Sequence, residues 1–310
     1  MISYYKTIDN RVTEIESYEL GCWVNCVAPD EKEVKRLTSD FGINSEFLRS
    51  ALDPEESSHI DHEDDNTLIV IDIPAVQKTE KNITYYTKPF GIVITKTDLI
   101  TVSLSDNTII GEISDGVVKN IYTNLKIQFA LRIILKTTAK YLQYLKQIDK
   151  INDRVEKELR RSMKNKELIQ LLEVEKSLVY FSSSLKSNEV TLEKIMRGRL
   201  IKLYEEDKEL LEDVLIEVKQ AIEMANIQLN ILSGTMDAFA SIISNNLNIV
   251  MKVLASITLI ISIPAVVVGF YGMNIGAHVL PLDGVWWFPM AFSGILMVIA
   301  GFILKKKDMM

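Results

Sequence analysis

The sequence predicts an α+β domain that is followed by a long stalk helix and a two-span α-helical membrane hairpin. Three observations predict this fold class. Short stretches rich in Ile, Val, Thr and Tyr occupy the first 115 residues, glycine and proline nearly disappear between Gly116 and Pro264, and two apolar runs stand near the end of the 310-residue chain. Strand, helix and membrane patterns therefore follow one another along the sequence.

Residues 1–115 form the predicted α/β domain. Two short helices are expected at Glu31–Phe41 and Ser45–Leu52. Segments of strand composition alternate with Asp, Asn, Gly and Pro, which mark turns. The predicted strands are Met1–Ile8, Gly21–Val27, Thr67–Ile73, Ile83–Tyr86, Gly91–Thr95 and Leu99–Ser103. This length of chain is enough for one small hydrophobic core.

Residues 116–247 form the predicted helical and stalk region. A first helix is expected over Val117–Arg161 and a second over Lys166–Met196, with a weak break between them. Gly198 then marks a turn. The third helix starts near Leu200 and continues towards the membrane without a clear stop. A helix of that length must pack against neighbours or against copies of itself.

A heptad seam runs along the third helix. Its apolar residues recur at alternating steps of four and three, which is the spacing of coiled-coil packing. The seam consists of Leu211, Leu215, Val218, Ile222, Ala225, Leu229, Leu232, Met236, Phe239 and Ile243. This seam has two candidate packing partners: the same helix of another subunit, or the chain's own second helix.

A second stripe with the same spacing starts beside the seam and continues into the membrane. Its members are Asp237, Ser241, Ser244, Asn248, Met251, Ala255, Thr258, Ser262, Ala265, Gly269 and Gly272. All except Met251 are polar or small. Polar positions on one face of a spanning helix usually point at a cavity or a partner, whereas small residues also permit close helix packing. We favour a pore lining, and two spans enclose a pathway only in a ring of identical subunits.

The two apolar runs are predicted membrane spans. The first is Val253–Tyr271, within a pore-lining helix at 248–274, and the second is 285–304. Each has the roughly 20 residues that cross a bilayer core. Lysines close the hairpin in the basic tail 305–310, whereas the 275–284 loop has no Lys or Arg. Since basic residues stay inside, we expect a cell-membrane protein with both termini in the cytoplasm and this loop outside.

Composition narrows the class of partner. The net charge is −7 at pH 7, and this sign disfavours nucleic acid and favours the attraction of cations. Cys22 and Cys26 are expected on one face of a short strand, about 13 Å apart at ~3.3 Å per residue, which is too far for a disulfide. The sequence has no Gly-rich phosphate loop and no convergent nucleophile–base arrangement, so an enzyme is disfavoured.

The first span ends in Tyr271-Gly272-Met273-Asn274, and its approach reads Ser244-Asn245-Asn246-Leu247-Asn248-Ile249-Val250-Met251-Lys252-Val253-Leu254. Together with the terminal lysine run and with Asp53-Pro54-Glu55-Glu56 in the soluble domain, these segments resemble the CorA family of divalent-cation channels. A lone Gly-Met-Asn would carry no weight. Its position between two terminal spans makes the signal specific, and the match is sharpest in the last 70 residues.

The resemblance implies a homopentamer whose subunits each supply an α+β cytoplasmic domain, a stalk helix running into the pore, and an outer helix. Mg²⁺ is the implied ion, often with Co²⁺ or Ni²⁺ tolerated. The family motif implies that Gly272, Met273 and Asn274 form the selectivity site at the outer mouth. The loop that follows departs from the best-known members, because Asp283 is its only carboxylate.

The same resemblance assigns the inner part of the pore. The family's inner pore asparagine maps onto Asn248, and an acidic residue further in maps onto Asp237. Ser241 and Ser244 belong to this inner segment. The stripe residues Met251, Ala255, Thr258, Ser262, Ala265 and Gly269 would line the pathway between the two ends.

Regulation is expected from acidic residues in the first part of the stalk. The segment Arg199–Glu223 holds eight carboxylates, which repel one another between subunits unless a divalent ion bridges them. The resemblance implies that intracellular Mg²⁺ bound between subunits holds the pore shut. Asp213 is the best candidate by position, with Glu212 and Glu209 beside it, and a solvated helix face is the alternative.

A second acidic concentration lies between Asp53 and Asp65 and includes His59 and His62. It could hold a regulatory cation. The interpretation that we favour is a polar loop and strand edge on the soluble domain.

The sequence thus predicts a passive Mg²⁺ influx channel that is driven by the membrane potential and gated by intracellular Mg²⁺. Its partners would be membrane lipid, divalent cations and its own copies. One alternative is a Zn²⁺ transporter of the ZntB type, which the intact Met273 disfavours because that group usually varies this position. The other is a membrane-anchored coiled-coil scaffold, which would not need the small and polar stripe.

Overall fold

The computed structural model describes residues 1–78, 83–118, 121–162, 165–273 and 285–307. The chain divides into two compact units, Met1–Gly234 and Thr235–Met310. The predicted class is confirmed: an α+β domain leads into a long helix, and a second apolar helix follows. The homopentamer is not tested by a single chain and stays a prediction.

The first unit contains a seven-stranded sheet. Its strands are β1 (Ile2–Ile8), β2 (Arg11–Ile15), β3 (Trp23–Val27), β4 (His59–Glu63), β5 (Asn66–Lys78), β6 (Ile83–Ile94) and β7 (Leu99–Ser103). The spatial order is β2-β1-β3-β7-β6-β5-β4. Neighbouring strands run antiparallel except for the central pair β3 and β7, which is parallel.

The helices of the described chain lie between β3 and β4 and after β7 in the sequence. They are α1 (Glu31–Phe41), α2 (Ser45–Ser50), α3 (Thr108–Ser114), α4 (Lys126–Ser162), α5 (Asn165–Met196), α6 (Glu205–Tyr271) and α7 (Phe288–Lys306). Helix α1 starts with a capping box, in which Asp30 and Glu33 satisfy each other's backbone N–H groups. It ends at Gly42, whose φ of 63° is the left-handed conformation typical of a helix end.

Two hairpins are set by tight turns of the same type. Ile8 pairs with Arg11 and Glu63 pairs with Asn66, so that each loop has two residues. Both loop residues have positive φ in each case, at Asp9–Asn10 and at Asp64–Asp65. Asp and Asn tolerate this conformation, and such turns match the twist of the flanking strands.

The core of the first unit occupies both faces of the sheet. On one face, Val24, Val70 and Ile100 belong to a buried cluster that also contains residues of α1 and α2. On the other face, the ring of Trp23 meets Phe129 of α4 edge-on at 5.3 Å. Trp23 is fully buried, and its indole N–H donates to Thr101 Oγ1 at 2.8 Å, which satisfies the one polar group it carries.

Part of the heptad seam packs within the chain. Leu211, Val218, Ala225 and Leu232 are buried. Hydrogen bonds tie the same stretch of α6 to the preceding helices: Ser182 Oγ of α5 donates to Asn226 Oδ1 at 2.8 Å, and Gln228 Nε2 donates to the Leu145 carbonyl of α4 at 3.2 Å. The chain's own helices therefore account for this half of the seam.

Several predicted boundaries are wrong. The first long helix begins at Lys126 rather than Val117, and the third begins at Glu205 rather than Leu200. The two strands predicted at Ile83–Tyr86 and Gly91–Thr95 are one strand, β6, which passes through Pro89. The ladder to β7 starts only at Phe90. Pro89, which lacks an N–H, therefore lies where one strand alone flanks β6.

Candidate functional site

The membrane hairpin consists of the C-terminal part of α6 and of α7. Both helices are long and apolar enough to cross a membrane. Helix α7 begins at Phe288, three residues after the predicted start of the second span, with Pro289 in its first turn. Its last turn is basic, with Lys305 and Lys306. The helix dipole stabilises positive charges at a helix C-terminus.

One face of α6 is covered within the hairpin. Ser256 and Val267 are its buried positions along the apolar run, with exposed fractions of 1% and 8%. They are eleven residues apart, close to three helical turns, and so share a face. One turn further on, the Tyr271 ring contacts the Phe288 ring of α7 at 6.2 Å. Helix α7 therefore covers this side of α6. The sequence pattern did not reveal Ser256 as a packing residue.

The small and polar stripe lies on the opposite face. At about 100° per residue, its members are centred roughly half a turn away from Ser256 and Val267. Every residue of the stripe from Asp237 to Gly272 is exposed in the single chain. The stripe is thus left uncovered by the chain's own second span. Polar positions on one face of a spanning helix usually point at a cavity or a partner, so we expect this face to meet a partner or water.

The hydroxyl groups of the stripe are held by their own helix. Thr258 Oγ1 donates to the Leu254 carbonyl, and Ser262 Oγ donates to the Leu259 carbonyl, both at 2.8 Å. The single donor of each hydroxyl is thereby used, and the oxygen lone pairs remain. These two positions consequently present acceptor oxygens to whatever stands beside the stripe.

The predicted outer mouth begins where α6 ends. The Gly272 N–H donates to the Val268 carbonyl at 2.9 Å, and the Met273 N–H donates to the Phe270 carbonyl at 3.4 Å. A Cβ at position 272 would stand 3.2 Å from the Val268 oxygen, so glycine permits the tight hydrogen-bonded turn that ends α6. Met273 is 55% exposed. Asn274 and the loop 275–284 lie outside the described residues.

The predicted inner end of the pathway is on the same exposed face. Asn248, Ser244, Ser241 and Asp237 all belong to α6 and are exposed. Asp237 forms no ion pair within the part of the chain that the structure describes. One carboxylate and one amide are thus presented along the line that continues into the bilayer.

The acidic residues of the stalk have different environments. Asp213, Glu212 and Glu209 are exposed. Asp207 is buried, and its carboxylate accepts the Tyr204 N–H at 3.1 Å, which caps the start of α6. In the described ranges, one chain brings no three His, Cys, Asp or Glu side chains into a metal-binding group. The regulatory role of Asp213, Glu212 and Glu209 therefore stays a prediction.

The acidic concentration between Asp53 and Asp65 is a loop and an edge strand, as the favoured interpretation has it. Strand β4 closes one edge of the sheet. Its carboxylates and their neighbours have structural partners: Asn44 donates to Glu63, the Glu55 N–H donates to Asp53, and Lys96 pairs with Asp65 at 2.7 Å.

Comparison with known proteins identifies the family. The family model described as CorA-like Mg²⁺ transporter protein matches residues 19–306. The cobalt/magnesium transport protein CorA of Methanocaldococcus jannaschii is 28% identical over 96% of this chain and 95% of that protein. The protein of the same name from Thermotoga maritima is 25% identical over 98% of this chain and 88% of that protein.

Solved structures agree with the sequence relationship. The complete structure of the CorA magnesium transporter from Methanocaldococcus jannaschii matches with a TM-score of 0.83 at 25% identity, covering 98% of this chain and 97% of that one. Full-length CmaX has a TM-score of 0.72 at 13% identity and covers 99% of this chain and 97% of its own, which supports the fold alone. By its sequence, its two spans and its fold, this chain is a membrane protein that belongs to the CorA-like Mg²⁺ transporter family.

Proposed function

We propose that this chain is the subunit of a homopentameric channel that lets Mg²⁺ enter the cell down the membrane potential and closes when intracellular Mg²⁺ is high. One observation carries the proposal. The small and polar stripe of α6 lies on the face that α7 leaves uncovered, and apart from Met251 its members are small or polar from Asp237 to Gly272. Copies of the same chain, arranged around an axis, would turn this face towards water.

The chemistry of the stripe suits a hydrated divalent cation. Mg²⁺ demands near-octahedral oxygen ligands and loses its water reluctantly. The acceptor oxygens of Thr258 and Ser262 and the amides of Asn248 and Asn274 would hydrogen-bond to the water shell. Neutral groups bind weakly enough to release the ion, and conduction requires that balance. A ring of carboxylates at the narrow mouth would instead hold it.

The driving force needs no nucleotide. A membrane potential of 100 mV is worth about 2.3 kcal/mol per charge, so Mg²⁺ entering a negative interior gains roughly twice that amount. The lysines at the end of α7 support an inward position of both termini. The soluble unit would then stand in the cytoplasm, where it could sense the ion that has entered.

Closure would use the exposed stalk acids. Asp213, Glu212 and Glu209 have no metal partner within one chain, and their exposure makes them available to a neighbouring subunit. A bound Mg²⁺ would neutralise their mutual repulsion and favour the assembled, closed arrangement. Loss of the ion would weaken that arrangement and favour opening.

The two alternatives receive less support. A ZntB cytoplasmic domain from Vibrio parahaemolyticus resembles the fold at 13% identity with a TM-score of 0.58, which supports the fold only, whereas both curated relatives named above are cobalt/magnesium transport proteins. A scaffold has no use for a polar stripe through the bilayer. The family contains transporters, which also disfavours an enzyme.

The test is Mg²⁺ flux into liposomes that contain the purified protein, read with an internal Mg²⁺ indicator under an imposed potential. We expect flux from the wild type and a loss of at least about tenfold in Asn274→Ala, because one ring of amides is removed. Val298→Ala on the exposed side of α7 is the matched control and should conduct normally. Wild-type vesicles that take up no Mg²⁺ would overturn the proposal.

A further inference from the structure

A cavity of about 130 Å³ lies in the first unit, beside the end of β7. The channel proposed above makes no use of it. Its walls come from β5, from β6 between Tyr86 and Pro89, from the segment Ser103–Thr108, and from Tyr144 of α4. The cavity adjoins the carboxyl end of the parallel pair β3 and β7.

Lys88 supplies a cation to this cavity. Strand β6 continues beyond the ladder with β7, which starts at the pair Phe90 and Ser103. The Lys88 side chain is therefore free to meet the chain that follows β7. Its Nζ donates to Ser105 Oγ at 2.8 Å and lies 5.4 Å from the centre of the Tyr86 ring. Within the described ranges it pairs with no carboxylate, although the exposed Asp106 stands at the rim.

Ser103 supplies an unused hydroxyl. It is 2% exposed, and its Oγ makes no hydrogen bond among the residues that the structure describes. Its backbone carbonyl is already engaged by the Ala28 N–H at 2.8 Å. Side chains alternate along a strand, so Lys88 and Phe90 share a face, and Phe90 is the ladder partner of Ser103. The hydroxyl and the ammonium group are therefore on the same side of the sheet.

A buried donor without a partner is unusual in native proteins and calls for an occupant. Here the cation lacks an anion and the hydroxyl lacks an acceptor, and one ligand meets both needs. At about 30 Å³ per water molecule, the cavity has room for roughly four waters, which is comparable to a five-atom oxyanion. The ligand that fits is thus small, negatively charged and rich in acceptor oxygens.

We propose that this cavity is a binding site for a phosphate-type oxyanion. Lys88 makes the charge-assisted contact, Ser103 donates its hydroxyl, Ser105 holds the Lys88 ammonium group, and Tyr86 and Tyr144 form the aromatic walls. With the oxyanion bound, Lys88 has its counter-ion and the Ser103 hydroxyl its acceptor. The anion is either free inorganic phosphate or the phosphoryl group of a small ester.

The experiment is calorimetric titration of the purified full-length protein with inorganic phosphate at constant ionic strength. We expect saturable binding by the wild type. Lys88→Met should weaken it by about tenfold or more, since the cation that pairs with the anion is lost. Ser103→Ala should weaken it by about tenfold, since a hydroxyl that donates to an anion also makes a charge-assisted bond. Lys146→Met, on the exposed side of α4, is the matched control and should bind like the wild type.

Two further measurements keep the test decisive. Lys88→Arg retains the charge and should retain binding, which separates lost charge from misfolding. Glycerol phosphate distinguishes the two sources: tighter binding than inorganic phosphate assigns the site to an ester, and weaker binding assigns it to the free ion. Wild-type protein without saturable phosphate binding, or Lys88→Met that binds as the wild type does, would overturn the proposal. Binding is measured without transport, so its outcome is independent of the flux experiment.

Discussion

The side-chain amide of Asn188 makes two hydrogen bonds to the backbone of Asp72. The Asp72 N–H donates to Asn188 Oδ1, and Asn188 Nδ2 donates to the Asp72 carbonyl, both at 2.9 Å. The ladder between β4 and β5 ends at the pair His59 and Val70, so no strand residue is opposite Asp72 on that side. The amide of α5 therefore replaces the missing strand and joins the helix to the sheet.

Replacing this amide should destabilise the first unit. Asn188→Ala removes both of these hydrogen bonds, while the Asp72 N–H keeps Ser58 Oγ at 3.1 Å and the Asp72 carbonyl keeps the Tyr141 hydroxyl at 3.1 Å. The loss is therefore that of two net hydrogen bonds, about 1–3 kcal/mol together. We expect the thermal midpoint of the purified protein to fall by roughly 5–10 °C. Ser183→Ala, at an exposed position of the same helix, should leave the midpoint unchanged. Equal midpoints for the two variants would contradict the strand-replacing role of Asn188.

Much of the fold is predictable from residue type because the strands inside the sheet are rich in β-branched and aromatic residues. This holds for β1, β3, β5 and β7. The edge strands β2 and β4 were not predicted, because their sequences RVTEI and HIDHE are mostly polar. Their strand conformation comes from pairing with a neighbour and from the two-residue turns, and pairing between strands cannot be derived from local composition.

The position of the small and polar stripe on one helix face is predictable from residue spacing, whereas its role in conduction stays a prediction. A four–three spacing fixes which residues share a helix face, and all members of the stripe do share one. The role of Asp207 was not predictable, because a helix cap and a metal ligand use the same residue type. The cavity beside Ser103 was not predicted either. Lys88 and Ser103 lie on different strands, β6 and β7, and only the pairing of these strands brings the two residues together.

Asp72 gives the first unit a defined response to pH. Burial raises the pKa of its carboxyl group above the ordinary value, and a hydrogen bond with Ser184 opposes this in part. The folded state thus holds the proton more tightly than the unfolded chain. The stabilising contribution is complete below the unfolded pKa and is lost as the pH rises through the raised pKa.

Asp72→Asn should remove the free-energy cost of holding a charged carboxylate in this buried position. We expect a higher thermal midpoint than the wild type at pH 7 and a difference that shrinks towards zero as the pH is lowered past the pKa of Asp72. The midpoint measured between pH 3.5 and pH 8 checks the trend. Asp106→Asn, at an exposed position, should show no such trend. A variant difference that is constant with pH would contradict the assignment to Asp72.

Gly91 allows β6 and α2 to approach closely. A Cβ at this position would collide with the Cβ of Ala51, which is fully buried. Gly91→Ala should therefore destabilise the protein by about 1–3 kcal/mol, as overpacking does. The double variant Gly91→Ala, Ala51→Gly should recover part of this loss because the colliding atom is removed. Thermal midpoints of both single variants and the double variant test the coupling, and simple additivity would count against the contact.

Thr258 separates the pore proposal from simple helix packing. Thr258→Val keeps the volume and removes the hydroxyl, which the helix itself does not need because its donor merely returns to Leu254. A packing role predicts normal flux, whereas a hydration-shell contact predicts a fall in Mg²⁺ flux of about fivefold, the value of one lost hydrogen bond to water at about 1 kcal/mol. Thr258→Ser keeps the oxygen and should conduct. Liposome flux of the three proteins decides between the roles.

Asp213 tests the proposed regulation by intracellular Mg²⁺. Asp213→Lys replaces an exposed stalk carboxylate by a cation that repels Mg²⁺, so flux should persist at internal Mg²⁺ concentrations that close the wild type. We expect the half-inhibiting concentration to rise by about tenfold or more, if the bridging ion is worth at least 1.4 kcal/mol. Glu14→Lys makes the same charge change at an exposed position of β2 and should leave inhibition unchanged. Inhibition curves that coincide for wild type and Asp213→Lys would remove this residue from the regulatory site and leave the conduction pathway unaffected.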